Sequence, residues 1–284
     1  MPEKPATAAE YSKGQVERVK ATCLYVATIL GDYMKEAVIV GGLVPSLLID
    51  QDNLPDGADS HVGTMDLDIG LTLAILDEKR YQAITDHLRS AGFSPDVNEQ
   101  GNKTRQRWKI EKVGKVTIDF LIPPVGDDDV GGRIKDIEQD FAAVITPGLE
   151  LAFQDKIKVT LEGYTLFGEK AKRDVYVCGP GAFVLLKTLA FGTRGENKDA
   201  YDLYYHIRNY GKGVEDIADV LKPLLHKKEA QEAIRILRED FAEANRVGAV
   251  RVARFLTGSP DGAIQADVAG FVRSLLDLCK PGET

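Results

Sequence analysis

The chain has 284 residues, 44% of them apolar and 28% charged, with a formal net charge of −8. That length supplies enough core for one large or two modest domains. The acidic balance counts against a large nucleic-acid footprint, and no run approaches the roughly 18 apolar residues of a membrane span.

The opening Met1-Pro2-Glu3-Lys4-Pro5 has no signal-peptide core. Cys23, Cys178 and Cys279 are odd in number and lack zinc-ligand spacing. Both features predict a cytoplasmic protein in a reducing compartment. Val16, Val19, Cys23, Ala27, Leu30 and Met34 recur at helical spacing and predict a helix over 12–34. A strand follows over 37–41, closed by Gly41 and Gly42, and then a short helix over 44–49. The stretch from there to Asp66 is long and acidic, carrying Asp50, Asp52, Asp56 and Asp59. His61 lies in it and reads as a solvated loop histidine; His87, His206 and His226 are equally dispersed. Residues 64–69 alternate and predict a strand with Met65, Leu67 and Ile69 inward.

Tyr81, Ile84, Leu88 and Ala91 mark a helix over 78–91 that stops at Gly92. Strands 105–111 and 115–122 read as a hairpin around Gly114. On the first of them Lys103, Arg105, Arg107 and Lys109 alternate, a basic face suited to phosphate contact or to local ion pairs. The Pro- and Gly-rich segment 123–132 is the clearest break, which predicts a division into 1–125 and 126–284. Segments 149–153, 156–162 and 174–178 read as strands, and 181–192, 198–209, 214–225, 228–245 and 264–279 as helices. Further basic groups are Lys170, Lys172 and Arg173, then Arg235, Arg238, Arg246, Arg251 and Arg254.

The chemistry-bearing residues follow from the alternation. With Leu67 and Ile69 inward, Asp66 and Asp68 share the opposite face of their strand. With Val116, Ile118, Phe120 and Ile122 inward, Asp119 takes the opposite face of its own. If the two strands are neighbours, three carboxylates converge, and such crowding needs a cation. Hard oxygen ligands suit Mg²⁺ or Mn²⁺. Later, Lys187 stands alone in the apolar run 180–191, so its ammonium requires a carboxylate or phosphate partner. Asp199 and Asp202 lie on one face of the next helix, either of them a partner for Lys187.

The series strand, Gly-Gly, short helix, Thr64-Met65-Asp66-Leu67-Asp68-Ile69, then Thr117-Ile118-Asp119-Phe120-Leu121 resembles the core of the DNA polymerase β-type nucleotidyltransferase superfamily. Leu185-Leu186-Lys187-Thr188-Leu189-Ala190 and Arg194-Gly195-Glu196-Asn197-Lys198-Asp199-Ala200-Tyr201-Asp202 resemble motifs of its AbiEii and MenT-like members. The resemblance spans residues 36 to 205. Leu43 follows the glycine pair where the superfamily often has serine, and Ser46 lies three further on. What the resemblance implies is an α+β fold, a mixed sheet with flanking helices plus a helical C-terminal region. It further implies transfer of a nucleoside monophosphate from an NTP to a hydroxyl. Asp66, Asp68 and Asp119 would hold two Mg²⁺ or Mn²⁺ ions. Gly41, Gly42, Ser46, Arg194, Lys198 and Asp199 would bind the nucleotide, and Lys187 and Asp202 would complete the catalytic set. RNA, in particular the tRNA 3′ end, would be the acceptor, and an antitoxin protein the partner. A small-molecule nucleotidyltransferase of antibiotic-modifying type is the alternative from another class of acceptor. A catalytically silent nucleotide-binding relative is the third reading.

Overall fold

The alternating segments become a nine-stranded mixed sheet. In the computed structural model, which describes residues 5–280 apart from 56, 73–77, 99, 113, 139 and 140, the strands are β1 (Ala37–Val40), β2 (Asp66–Leu71), β3 (Ser94–Val97), β4 (Lys103–Ile110), β5 (Val116–Ile122), β6 (Ile134–Glu138), β7 (Phe141–Ile145), β8 (Lys156–Tyr164) and β9 (Lys170–Cys178). Their order is β3-β4-β5-β2-β1-β9-β8, with β7 pairing β5 and β6 pairing β7. β2 and β5 run parallel, as do β1 and β9. The β4–β5 pair is the expected antiparallel hairpin. Asp56, part of the acidic stretch, lies outside the described residues.

One face of this sheet is the core. Leu67, Ile69, Trp108, Ile118 and Phe120 are fully buried there. Phe141 packs against Tyr81, Trp108 and Phe120, with ring centroids 4.8–6.4 Å apart. Helix α1 (Lys13–Leu30) buries Val16, Val19, Cys23, Val26, Ala27 and Leu30, the face its spacing predicts. Next come α2 (Val44–Leu48) and α3 (Glu78–Ser90). Residues 149–153, expected as a strand, form helix α4 (Leu149–Gln154). Their apolar run is too short for periodicity to choose between the two states. Gly148, at φ 81°, turns the chain into the helix.

The remainder is helical: α5 (Pro180–Arg194), α6 (Asn197–Asn209), α7 (Val214–Leu221), α8 (Lys228–Asp240), α9 (Val247–Thr257) and α10 (Gly262–Leu278). The single helix expected over 228–245 ends at Asp240, and α9 is a separate element. Helix α5 starts with Pro180 at its first turn, where the missing N–H costs nothing.

The chain divides into two compact units. The first holds Lys13–Val44 and Gly63–Cys178; the second holds residues 5–12, Pro45–Val62 and residues 179–280. The boundary thus falls after Cys178 rather than after residue 125. The physical reason is backbone pairing. β7 adds to β5 through Leu121↔Val144, and β9 adds to β1 through Ile39↔Val177, so both belong to the first unit's sheet. No described helix is long and apolar enough to cross a membrane.

Candidate active site

In the first unit the parallel pairing of β2 with β5 sets Asp68 directly opposite Asp119 and Asp66 opposite Thr117. Directly opposed residues share a face, so all three acids lie together. One ligand oxygen from each falls within 4.8 Å of the others. At an effective dielectric of about 20, each such pair of charges repels by about 3 kcal/mol. The arrangement fits a divalent cation in its donor chemistry: hard oxygens, closely set and only partly exposed. Thr64 Oγ1 donates to Asp66 Oδ1 at 2.8 Å and fixes that carboxylate.

A cation is already present on the neighbouring strand. Register places Arg107 of β4 opposite Asp119. Its Nε donates to Asp119 Oδ1 at 2.7 Å and its Nη2 to Oδ2 at 2.5 Å. Nη2 also lies 4.0 Å from Asp66 Oδ2. The hydrogen bonds to Asp119 outweigh burial and hold the guanidinium firmly charged. The sequence showed Arg107 only as one of four alternating basic residues. The other described partners on that strand are local too: Arg105 meets Asp136 at 2.6 Å, and Lys109 meets Glu111 at 2.8 Å and Asp96 at 3.4 Å.

Gly41 belongs to this site for a steric reason. It opens a 3-10 turn, Gly41–Leu43, directly after β1. Its φ is +72°, and a Cβ there would sit 1.8 Å from Asp68 Oδ2. Both the backbone and the space are therefore reserved for glycine. Gly41→Ala is expected to cost about 2–4 kcal/mol and to push the Asp68 carboxylate out of place. Chemical denaturation and Mn²⁺ titration of the variant check this; wild-type values for both would contradict the steric assignment. Gly42 is buried in the same turn. The helix that follows, α2, has only 5 residues, so its dipole is weak.

The remaining expected residues lie in the second unit. Lys187 of α5 reaches both candidate partners: Asp199 Oδ1 at 3.1 Å and Asp202 Oδ2 at 2.8 Å. Arg194 forks onto Asp199 through Nε at 2.5 Å and Nη2 at 2.8 Å, and Lys198 pairs with Asp202. Burial opposes the charge on Lys187, but Asp202 and Asp199 more than offset it and raise its pKa. Burial lowers the pKa of Lys198, and the Lys187 charge pushes the same way. For Asp202, burial opposes ionisation; the two lysines and His61 prevail, and its pKa falls far below the carboxylate range.

His61 was expected in solvent and is instead buried in this cluster. Its Nε2 lies 2.8 Å from Asp202 Oδ1, and its Nδ1 lies 3.4 Å from Ser46 Oγ. The ring stacks on Tyr201 and tilts against Tyr205, at 5.3 and 4.8 Å. Ser46 thus meets the second unit's network through His61. No local sequence signal marks His61, because the carboxylate its ring meets, Asp202, is 141 residues downstream.

Two buried histidines predict an acid-sensitive fold. Burial first, then the Lys198 charge, lowers the pKa of His61 to about 4. Burial, then His61, lowers that of His206 to about 3. The His206 ring lies between Phe183 and Tyr210, and neither nitrogen has a hydrogen-bond partner among the described residues. The unfolded chain takes up these protons near pH 6.5 and the folded chain does not. Stability should therefore rise with pH between about 4 and 6.5, by up to about 1.4 kcal/mol per pH unit for each ring. Urea unfolding at pH 7 and pH 5 measures the slope, and His206→Phe should remove its own share. Equal slopes in both proteins would contradict the assignment for His206.

Neither a scan against protein-family models nor a comparison with curated proteins returns a match. Among solved structures, the chain is similar to an antigenic nucleotidyltransferase-like protein from Paracoccidioides brasiliensis. The two are 14% identical, the match covers 78% of this chain and 94% of that one, and the TM-score is 0.39. A likeness of that degree decides nothing about function. The α+β class rests on the sheet and helices themselves.

Proposed function

We propose that the chain is a metal-dependent nucleotidyltransferase with a polymerase β-type core. The observation that carries this reading is the convergence of Asp66, Asp68 and Asp119 on one patch of two parallel strands. Asp66 and Asp68 would hold two Mg²⁺ or Mn²⁺ ions and Asp119 one of them. Bound there, the ions would lower the pKa of an acceptor hydroxyl and neutralise the leaving pyrophosphate. The acceptor oxygen bonds to the α-phosphorus of the NTP, the bond from that phosphorus to the β-phosphate bridge breaks, and Asp119 receives the hydroxyl proton. The glycine turn and the charged cluster of Lys187, Arg194, Lys198, Asp199 and Asp202 are assigned to the nucleotide through the resemblance to AbiEii and MenT-like enzymes.

That resemblance supports RNA, in particular a tRNA 3′ end, as acceptor, in a cytoplasmic toxin–antitoxin pair. A small-molecule acceptor is the second reading. It is favoured by the ion pairing of Arg105, Arg107 and Lys109, which engages the strand expected to meet RNA phosphates. The test is incubation with each α-labelled NTP and Mg²⁺ or Mn²⁺, with total RNA in one arm and hydroxyl-bearing antibiotics in the other. Label on either acceptor together with pyrophosphate release is expected. No transfer in either arm, with any NTP, would overturn the reading.

A further inference from the structure

Among the described ion pairs of β4, that of Arg107 reaches the acid cluster. Arg105 and Lys109 pair with Asp136, Asp96 and Glu111, none of which belongs to the acid cluster. Arg107 instead engages both oxygens of Asp119 and stands 4.0 Å from Asp66. Strand register holds it there, since Arg107 and Asp119 are directly paired residues of adjacent strands. Its position supplies one positive charge to three crowded carboxylates.

The same guanidinium fork that matches a carboxylate also matches a phosphate. We propose that Arg107 is an exchange partner of the site: it holds Asp119 in ligating position and keeps metal affinity low, then trades Asp119 for the nucleotide's phosphates. Metal and NTP would therefore bind with positive coupling, each weakly alone and tightly together. This rests on reading the three acids as the metal site.

A merely structural arginine gives the opposite sign. If Arg107 only braced β4 against β5, its loss would loosen the acids and weaken metal binding. If it competes with the cation for Asp119, its loss removes that competitor and a repelling charge. The experiment is Mn²⁺ binding, read by the electron paramagnetic resonance of the free ion, with and without a non-hydrolysable NTP analogue. Wild type, Arg107→Gln and Arg107→Lys are compared, with thermal unfolding confirming that each is folded. Arg107→Gln should bind Mn²⁺ alone about tenfold more tightly than wild type, from one charge removed at about 4 Å in a partly desolvated site. The enhancement of Mn²⁺ affinity by the analogue should shrink by a similar factor. Arg107→Lys, which keeps the charge without the fork, should fall between the two and serves if Arg107→Gln does not fold.

Unchanged or weaker Mn²⁺ affinity in a folded variant, alongside wild-type binding that depends on Asp68, overturns the exchange role and leaves the metal site standing. Absence of Asp68-dependent Mn²⁺ binding from wild type and variant alike, with and without the analogue, takes both readings down. Tighter binding to Arg107→Gln that is lost again in Arg107→Gln/Asp68→Asn supports the exchange role, since it places the gained ion among the three acids.

Discussion

Asp68→Asn is expected to abolish nucleotide transfer, by about a thousandfold or more, in a protein that remains folded. The substitution keeps the shape that fits against Gly41 and removes one charge from a patch where like charges repel. Asp68 faces Asp119 across parallel strands, and one oxygen from each of the three acids lies within 4.8 Å of the others. Removing one negative charge there relieves repulsion, so the stability of the metal-free protein should hold or rise slightly. What should disappear is ligand-linked stabilisation. Mn²⁺ with a non-hydrolysable NTP analogue should raise the melting temperature of the wild type, because it binds only the folded form. The same addition should leave Asp68→Asn unmoved. Transfer at the wild-type rate, or an undiminished Mn²⁺ shift, would remove Asp68 from the metal site.

The reach of the sequence ends where pairing becomes non-local. Alternation in 64–69 and 116–122 was enough to put Asp66, Asp68 and Asp119 on the strand faces opposite Leu67, Ile69, Ile118 and Phe120, because period two follows from strand geometry alone. The parallel register that sets Asp68 opposite Asp119 joins segments about fifty residues apart, and nothing local encodes it. Arg107 illustrates the gap. Its alternation with Arg105 and Lys109 was visible, but only the β4–β5 register turns it towards Asp119. His61 illustrates it further, since an isolated histidine in an acidic stretch gives no hint that Tyr201 and Tyr205 enclose it. β3 carries Pro95, and β6 shows no buried residue, so neither has the apolar alternation that marks a strand. The division of the chain was misplaced for a related reason. The Pro- and Gly-rich segment after Ile122 is a loop between strands of one sheet, and a loop's composition does not tell whether the sheet resumes beyond it.

Lys187→Met is expected to lower stability by about 2–4 kcal/mol and, in the folded variant, to weaken NTP binding and eliminate transfer. Methionine keeps the apolar stem in the setting of Phe183, Val184 and Leu185 and removes the charge. Breaking a buried ion pair by deleting one partner typically costs about 3–5 kcal/mol. The cost should be smaller here, because Asp199 keeps Arg194 and Asp202 keeps Lys198 and His61. The pH dependence carries its own check. Asp202, with its pKa lowered, contributes stability that is present above the unfolded value near 3.9 and lost as pH falls through the folded one. Lys187, with its pKa raised, contributes stability that is complete below about 10.5 and lost as pH rises through its folded value. The penalty of the substitution should therefore be present at neutral pH and shrink at the acid and alkaline extremes. The stability loss alone establishes only that Lys187 ties α5 to α6. NTP affinity, measured by equilibrium binding at a temperature where circular dichroism shows the variant fully folded, separates the two roles. An ion pair that merely fastens two helices leaves that affinity intact. A lysine that also serves the nucleotide does not, and normal NTP affinity in folded Lys187→Met would confine this residue to the architecture of the second unit.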